Sequence, residues 1–388
     1  MVYFDNAATS RFKPKVLFDT MFQRLNHTAN PGRGGHDDAI DAAIAVEQAR
    51  EQIQTVFGAE DDRYAVIFTT NCTEALNLAI LGYLRSLDEE HIHVVTTANE
   101  HNSVLRPLHR MVFERNVRVT VVAPRADGGI GAREIAEAIT PDTRLVCVNH
   151  ISNVTGSVSD VEEICALCNK KNIRVLIDTA QSAGHLPLQI AKWGADYVAC
   201  AGHKGLHGCQ GTGVLICNRE YPLDPIRFGG TGTQSEMLDQ PTDFPEGYEA
   251  GTLNTVGICG LGAAAMWTHE HLSRINMHTR YLTGELLLGL KQIPTISLYS
   301  QMNTGVVSFN VGGYASTDVG DYLNACGFAV RCGLHCAPLI HRHLGTIDRG
   351  TVRVSIGFSN TVEQVRNLVH AVDRLARGKV SLDVPDKN

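Results

Sequence analysis

The sequence predicts an α/β domain built on a mostly parallel seven-stranded sheet flanked by helices, followed by a smaller α+β domain. Three observations predict it. Short, nearly continuous apolar runs alternate with amphipathic helical stretches through the first 220 residues. The runs lack polar alternation, as strands buried on both faces do. Past residue 220 the alternation stops and a different order of elements begins.

The strand candidates are Tyr64–Phe68, Ile92–Thr96, Val117–Val122, Leu145–Asn149, Ile173–Ile177, Tyr197–Cys200 and Gly213–Cys217. Among the helices between them, Asp37–Phe57 carries Ile40, Ile44, Ile53, Val56 and Phe57 on one side and ends at Gly58, a C-cap residue. Glu74–Leu87 and Val161–Lys171 read the same way. Arg227–Gly251 is rich in Gly, Thr and Pro and reads as a long loop, a length usually kept for function. Then come a helical region near Val256–Ile293, strands at Val306–Val311, Phe328–Arg331 and Val352–Ile356, and a helix near Asp318–Cys326. The last helix starts at Thr361, where Thr361 and Gln364 have capping-box spacing, and buries Val365, Leu368, Val369, Val372 and Leu375. Residues 381–388 are expected to fray.

Composition sets the outer bounds. With 388 residues, 44% of them hydrophobic, the chain has apolar mass for a large core or two. Basic residues number 34 against 41 acidic ones, so a basic face for nucleic acid or an anionic membrane is not expected. No apolar run reaches the roughly 18 residues of a membrane span, and MVYFDNAATS lacks the basic-then-apolar order of a signal peptide. Eleven cysteines, an odd number, and 17 histidines stand out. In a large chain without a leader they read as reduced cytoplasmic thiols and not as a disulfide framework.

The chemistry gathers around two strand ends. Lys204, in Ala201-Gly202-His203-Lys204, follows Tyr197–Cys200 and precedes a Gly-rich turn. A lone lysine there would read as a solvated surface residue. Asp178, just past Ile173–Ile177, changes that reading. A lysine at one strand end and an acid at the next suit pyridoxal 5'-phosphate: the amine forms the imine, and the carboxylate pairs with the protonated ring nitrogen. Thr70-Asn71-Cys72-Thr73-Glu74, between a strand and a helix, offers an N-terminus for phosphate, although a plain N-cap would look the same.

The order of these pieces resembles the class V aminotransferase family of fold-type I pyridoxal-phosphate enzymes, and within it the cysteine desulfurase and selenocysteine lyase branch. The resembling stretches are YFDNAATS, NPGRGGH, TTNCTEALN, EHNSVLRPL, ISNVTGS, DTAQSAGHLPL, AGHKGLHGCQGTGVL, EAGTLNT, RCGLHCAPL and GTVRVSIGFSNT, in order from residue 3 to 361. The short RCGLHCAP form resembles the SufS-like subgroup. The resemblance implies a large cofactor-binding domain at 13–253 and a small domain from 1–12 and 254–388.

It also implies roles. Lys204 would carry the imine and move the Cα proton. Asp178 would face the ring nitrogen, Gln181 the ring hydroxyl, and His101 the ring face, where as a catalytic residue it could also move protons. Thr73 and His203 would bind the phosphate beside Cys72. Thr252 would reach the phosphate of a neighbouring subunit, making a homodimer with shared sites. Asn153 would lie near both the cofactor and the substrate carboxylate, and Arg353 would hold that carboxylate by a bidentate grip. Cys336 would take the sulfur of L-cysteine as a persulfide, releasing L-alanine.

The chain departs from the pattern at Ala201, where relatives carry a phosphate-binding serine, and in a slightly longer turn after Lys204. The sulfur acceptor is expected to be a small protein, in iron–sulfur assembly or another sulfur pathway.

The remaining cysteines read more plainly. Cys147, Cys200 and Cys217 fall in apolar strands and should be core. Cys165 and Cys168 form a C-x-x-C on a helix without a second pair. Cys332 and Cys336 share a loop with Arg331, His335, His341 and His343, cations that would favour a thiolate. The same loop, read as a metal site, would make a non-enzymatic Cys/His metal-binding protein, although its spacing fits no common zinc pattern. The alternatives on the same cofactor are a selenocysteine lyase or another C–S lyase, which differs in its need for Cys336, and an aminotransferase or an epimerase acting at Cα.

Overall fold

The computed structural model describes residues 1–31, 34–301 and 304–378. The expected frayed tail from residue 381, and Gly32 and Arg33 of the NPGRGGH stretch, lie outside the described residues.

After β1 (Val2–Tyr3), α1 (Lys15–Asn26) and α2 (Asp37–Phe57), the large sheet is built from β2 (Tyr64–Thr69), β3 (His93–Thr97), β4 (Arg118–Val122), β5 (Thr143–Asn149), β6 (Arg174–Asp178), β7 (Tyr197–Ala201) and β8 (Gly213–Asn218). Its order is β2-β8-β7-β6-β5-β3-β4. Only β8 runs antiparallel to its neighbours. All seven predicted strands are present, with ends shifted by a residue or two.

The apolar runs of the inner strands are continuous because helices cover both faces; at the edge strand β4, Arg118 to Val121 are exposed or half-buried, against the expectation of two-sided burial. Along β5, Val146 and Val148 join a core with α6 (Val161–Lys170), while Leu145 and Cys147 face a second core with α3 (Cys72–Ser86) and α4 (Asn102–Arg115). Each such buried side chain contributes about 1.5–3 kcal/mol. Helix α4 has no counterpart in the sequence reading, because Pro107 lies inside it and breaks the pattern expected of a helix. The short helices α5 (Ala132–Ala138) and α7 (Ile190–Trp193) complete the crossovers.

One predicted face is corrected. On α2 the buried side is Ala39, Ala42, Val46, Ala49, Arg50, Ile53 and Val56, while Ile40 and Ile44 are exposed. The reason is close helix packing. A Cβ on Gly262 would meet Ala49, so small residues take the contact with α8 (Thr255–Glu270) and the isoleucines point outward. The single helical region expected at Val256–Ile293 is two helices, α8 and α9 (Leu272–Lys291), meeting at His271. Ile258, Leu261 and Ala265 of α8 belong to the core of the large sheet.

The second sheet is antiparallel, with order β12-β13-β10-β9, from β9 (Ile296–Leu298), β10 (Val306–Val311), β12 (Arg331–Gly333) and β13 (Thr351–Ser355). Helices α10 (Ser316–Ala325), α11 (Pro338–His343) and α12 (Val362–Ala376) accompany it. Phe328–Arg331 is divided: β11 (Phe328–Ala329) pairs in parallel with β1, and Arg331 opens β12. Thr361 and Gln364 make the expected capping box, and Val365, Leu368, Val372 and Leu375 pack under the sheet. The N-terminus thus lies against residues more than 300 positions away, with Asp5 bridging Ser355.

The long loop is tied down by a buried ion pair, and Arg227 at its start pairs with Glu74. Arg50 Nη1 and Nη2 meet Glu249 Oε1 and Oε2 at 2.9 and 3.1 Å, and Phe68 N donates to the same Oε1 at 2.6 Å. Both side chains are buried. Glu249→Ala would leave the buried Arg50 guanidinium with only the exposed Glu47 as counter-charge. It should cost about 3–5 kcal/mol, seen as a lower denaturant midpoint; a midpoint matching the parent would refute this role.

Candidate active site

The carboxyl ends of β2, β3, β5, β6 and β7 all lie along one edge of the large sheet, where α/β proteins place ligands. Register fixes their neighbours: Asn149 stands beside Asp178, and Asp178 beside Ala199. A cavity of about 220 Å³ opens there. It is lined by Cys72, Thr73, His101, Asn153, Asp178, Gln181, His203, Lys204 and Arg353, nine of the eleven predicted residues. Ala201 also lines it.

The Lys204 turn is pressed against the loop that leaves Asp178. A Cβ on Gly184 would meet the backbone of Gly205, and one on Gly205 the carbonyl of Ala183. Only glycine permits that approach, and it brings the lysine over the acid. Burial raises the Asp178 carboxyl above its ordinary range, against its bond from Ala180 N (2.8 Å) and the charge of Lys204. Burial likewise lowers the Lys204 ammonium, while Cys72 and Asp178 oppose it. The Cys72 thiol donates weakly to Asp178 Oδ1 at 3.8 Å and is itself pushed up by burial.

Asn71 is the N-cap of α3, its side chain accepting from Glu74 N at 2.9 Å. The capping and phosphate readings of this segment are therefore compatible, since Cys72 and Thr73 form the first turn at the cavity edge. Thr73 Oγ1 bonds Ser103 Oγ at 2.8 Å, and Ser103 Oγ reaches His101 Nδ1 at 2.8 Å. His101 caps α4 by accepting Ser103 N at Nδ1. The proton of the neutral ring therefore sits on Nε2. Burial first, then Lys204 and three arginines, lower this imidazole to about 4.

Gln181 Nε2 donates to Ala7 O at 3.0 Å. Arg353 Nη2 meets Asp5 Oδ1 at 2.9 Å and Nη1 donates to Asn153 O at 3.0 Å, so the predicted carboxylate clamp is already partly engaged. Its Nε, Asn153 Oδ1, Asn149 Oδ1 and His203 Nδ1 are buried without partners.

Two predicted residues lie outside the cavity lining. Cys336 is exposed at the cavity's lip. Its carbonyl accepts Asn102 N at 2.7 Å, and the carbonyl of His335 accepts Asn153 Nδ2 at 2.7 Å. Thr252 is exposed in a separate groove beside Asn30, Pro31 and Arg50.

The expectation of cationic histidines around the thiol is corrected. His335 is buried, its Nε2 bonded to Thr351, and burial lowers it to about 2; His341 bonds Thr346 and falls to about 4. Both rings are neutral and turned to threonines. Cys332 packs on Gly320 with its thiol pushed up to about 11. Among the described residues, no three His, Cys, Asp or Glu are grouped to hold a metal. All eleven cysteines are unpaired with one another, and Cys147, Cys165, Cys168, Cys200 and Cys217 are core.

Sequence reasoning missed Asn149, Ser103 and Asp5. Asn149 ends a predicted strand, so the strand-end argument applied to Lys204 would have found it. Ser103 and Asp5 gave no signal of their own. Arg331, noted only as a loop neighbour, lines the cavity opposite Arg353 in register.

The model of the aminotransferase class-V family matches residues 2–368. The chain belongs to the class-V aminotransferase family. A probable cysteine desulfurase of Methanothermobacter thermautotrophicus is 35% identical over 385 residues, covering 97% of this chain and 94% of the relative. A cysteine desulfurase of Yersinia pseudotuberculosis is 32% identical, covering 97% and 94%. Among solved structures, the apo cysteine desulfurase of Thermococcus onnurineus superposes with a TM-score of 0.89 at 32% identity, covering 97% and 95% of the two chains. An Escherichia coli cysteine desulfurase in an S-sulfonic acid form gives 0.87 at 27%, covering 98% and 95%. The predicted fold-type I architecture is thus the fold this family member has.

The neutral histidines set an acid limit. His150, His207, His335 and His341 are buried and held at about 4 or lower. An unfolded chain takes up protons near pH 6.5 that the fold refuses. Stability should therefore fall as pH drops from about 6.5 toward 4. Denaturant midpoints across that range test this; a flat profile would contradict it.

Proposed function

We propose that the chain is a pyridoxal-phosphate-dependent cysteine desulfurase that converts L-cysteine to L-alanine and carries the sulfur as a persulfide on Cys336. The observation that carries this reading is one cavity holding a desolvated lysine and a desolvated acid, with an exposed cysteine tethered at its lip. The residues present fit the cofactor. Asn149 Oδ1, Asn153 Oδ1, His203 Nδ1 and Arg353 Nε are buried polar atoms without partners in the chain, and a polar ligand in the cavity would satisfy them. Asp178 would hold the ring nitrogen, Gln181 the ring hydroxyl, His101 the ring face, and Cys72, Thr73 and His203 the phosphate.

Pyridoxal phosphate, when bound, supplies the electron sink for the negative charge at Cα. Lys204, whose charge burial disfavours, is suited to act as the base for the Cα proton. The free N–H groups of Arg353, with Asn153, orient the substrate carboxylate. The Cys336 thiolate attacks the substrate sulfur. An S–S bond forms, the Cβ–S bond breaks with its electron pair going to carbon, and a proton on that carbon completes alanine.

A homodimer is part of the proposal. Thr252, away from its own cavity, is free to serve a neighbour's, and α1 and α2 leave Phe18, Phe22, Leu25, Ile40 and Ile44 exposed. Such apolar surface is what a second copy would cover. The proposed domains are 13–253 and 1–12 with 254–388, α8 joining them. No helix among the described residues is long and apolar enough to cross a membrane. Eleven unpaired cysteines support a reducing, cytoplasmic setting. The sulfur acceptor in this proposal is a small protein, in iron–sulfur assembly or another sulfur pathway.

Cys336→Ala should retain cofactor but lose sulfide release from L-cysteine. In the parent, peptide mass analysis after L-cysteine should show one added sulfur on Cys336. Full cysteine turnover by Cys336→Ala would sink the mechanism. Turnover confined to L-selenocysteine would assign a selenocysteine lyase, because selenium leaves without a nucleophile. Lys204→Ala should lower the rate by at least about 10²–10⁴-fold, the range for loss of a positioned base; a rate near the parent's would exclude it.

A further inference from the structure

The carbonyl oxygen of His203 belongs to the peptide bond that leads into Lys204. Four donors from the N-terminal segment converge on it. Ser10 N and Ser10 Oγ each lie at 3.1 Å, Thr9 Oγ1 at 3.2 Å and Lys13 Nζ at 3.3 Å. The ammonium of Lys13 also donates to Gly208 O at 2.6 Å and Ser10 Oγ at 2.9 Å. Its three N–H groups thus have three acceptors. Two of these, His203 O and Gly208 O, are the two ends of the turn that carries Lys204. That turn closes through His207 N on Lys204 O at 2.9 Å and Gly208 N on Gly202 O at 2.8 Å.

A half-buried ammonium is an expensive way to hold a turn. Burial lowers Lys13 to about 8, with Cys209 opposing. An apolar side chain would avoid that cost but could not bond two carbonyls at once. Charge-assisted bonds to carbonyls are short and directional, so they fix the backbone more tightly than packing does. The same segment carries Asp5 to Arg353 and Ala7 O to Gln181. It therefore registers three cavity residues from one stretch of chain.

We propose that Lys13 is a positioning residue for Lys204: by bridging His203 O and Gly208 O it fixes where the Lys204 side chain enters the cavity. The inference rests on the reading of Lys204 as the cofactor-bearing lysine.

The test uses the full chain loaded with pyridoxal phosphate, as parent, Lys13→Met, Lys13→Arg and Lys204→Ala. Three quantities are read: the cofactor dissociation constant, the pH midpoint of the bound cofactor's visible absorbance, and the thermal midpoint of the cofactor-free protein. Lys13→Met should bind cofactor about tenfold more weakly, the loss of about 1.4 kcal/mol, with a displaced absorbance midpoint. Lys13→Arg should restore both. A lower thermal midpoint with cofactor affinity and absorbance midpoint unchanged would make Lys13 merely structural and overturn the proposal. If Lys13→Met does not fold, Thr9→Val with Ser10→Ala removes two donors to the same carbonyl and should move both cofactor readouts in the same direction; unchanged readouts there would also overturn it. A visible band surviving in Lys204→Ala would refute the underlying reading, whereas its loss beside a silent Lys13→Met refutes the bridge alone.

Discussion

Exclusion of water from the carboxyl edge of the large sheet is the constraint on which the rest depends. Asp178 and Lys204 attract each other, and each favours the other's charged form. Burial nevertheless outweighs that attraction at both groups, raising the acid and lowering the amine. Burial thus favours the neutral form of both groups, and for the lysine that is the free amine, the form able to take a proton. This works only while the strand tips stay covered. The buried strand runs, the two-sided helical packing and the glycine contact between the Lys204 turn and the Ala183–Gly184 loop all serve that cover.

The cover comes from segments far apart in sequence. Residues 5–13 arrive from the N-terminus, Arg331 and Arg353 from paired strands of the second sheet, and His335 from the loop above them. Arg353 shows the consequence. Its guanidinium is almost wholly buried and takes Asp5 and the Asn153 carbonyl as partners. In the proposed role of Arg353, a substrate carboxylate would meet an arginine whose orientation is already set. Preorganisation of this kind removes ordering cost from the binding step.

The sheet was legible because strands buried on both faces leave an unmistakable apolar run. Lys204 and Asp178 were legible as residues at the ends of such runs. Asn153, Gln181 and Arg353 carry no such local mark; resemblance alone singled them out, and the fold brings them to the cavity. Local patterning failed where a tertiary contact reversed it. On α2 the close approach of α8 takes the alanines and leaves Ile40 and Ile44 outside. Pro107 hid α4, and with it the cap formed by His101. His335 and His341 looked like cations because sequence proximity says nothing of burial. Once enclosed and bonded to Thr351 and Thr346, they are neutral rings that support the loop.

That reversal changes what surrounds Cys336. With the histidines neutral, the positive charge nearby belongs to the arginines, and Arg353 interacts electrostatically with Cys336. His335 and Cys336 both adopt left-handed backbone, φ 48° and 58°, which non-glycine residues seldom hold without support. Support comes from Asn153 Nδ2 on one carbonyl and Asn102 N on the next. Asn102 directly follows His101, so the turn is fastened to the same helix start that presents the imidazole to the cavity. The thiol is therefore held at the boundary, bonded to the cavity wall through its backbone yet open to solvent. Under the proposed persulfide role, a fully enclosed cysteine could take sulfur from a substrate but would have no route to give it away. A freely mobile one would reach an acceptor but lose the fixed approach to the cavity. A two-point-fastened turn at the lip would serve both needs of that role.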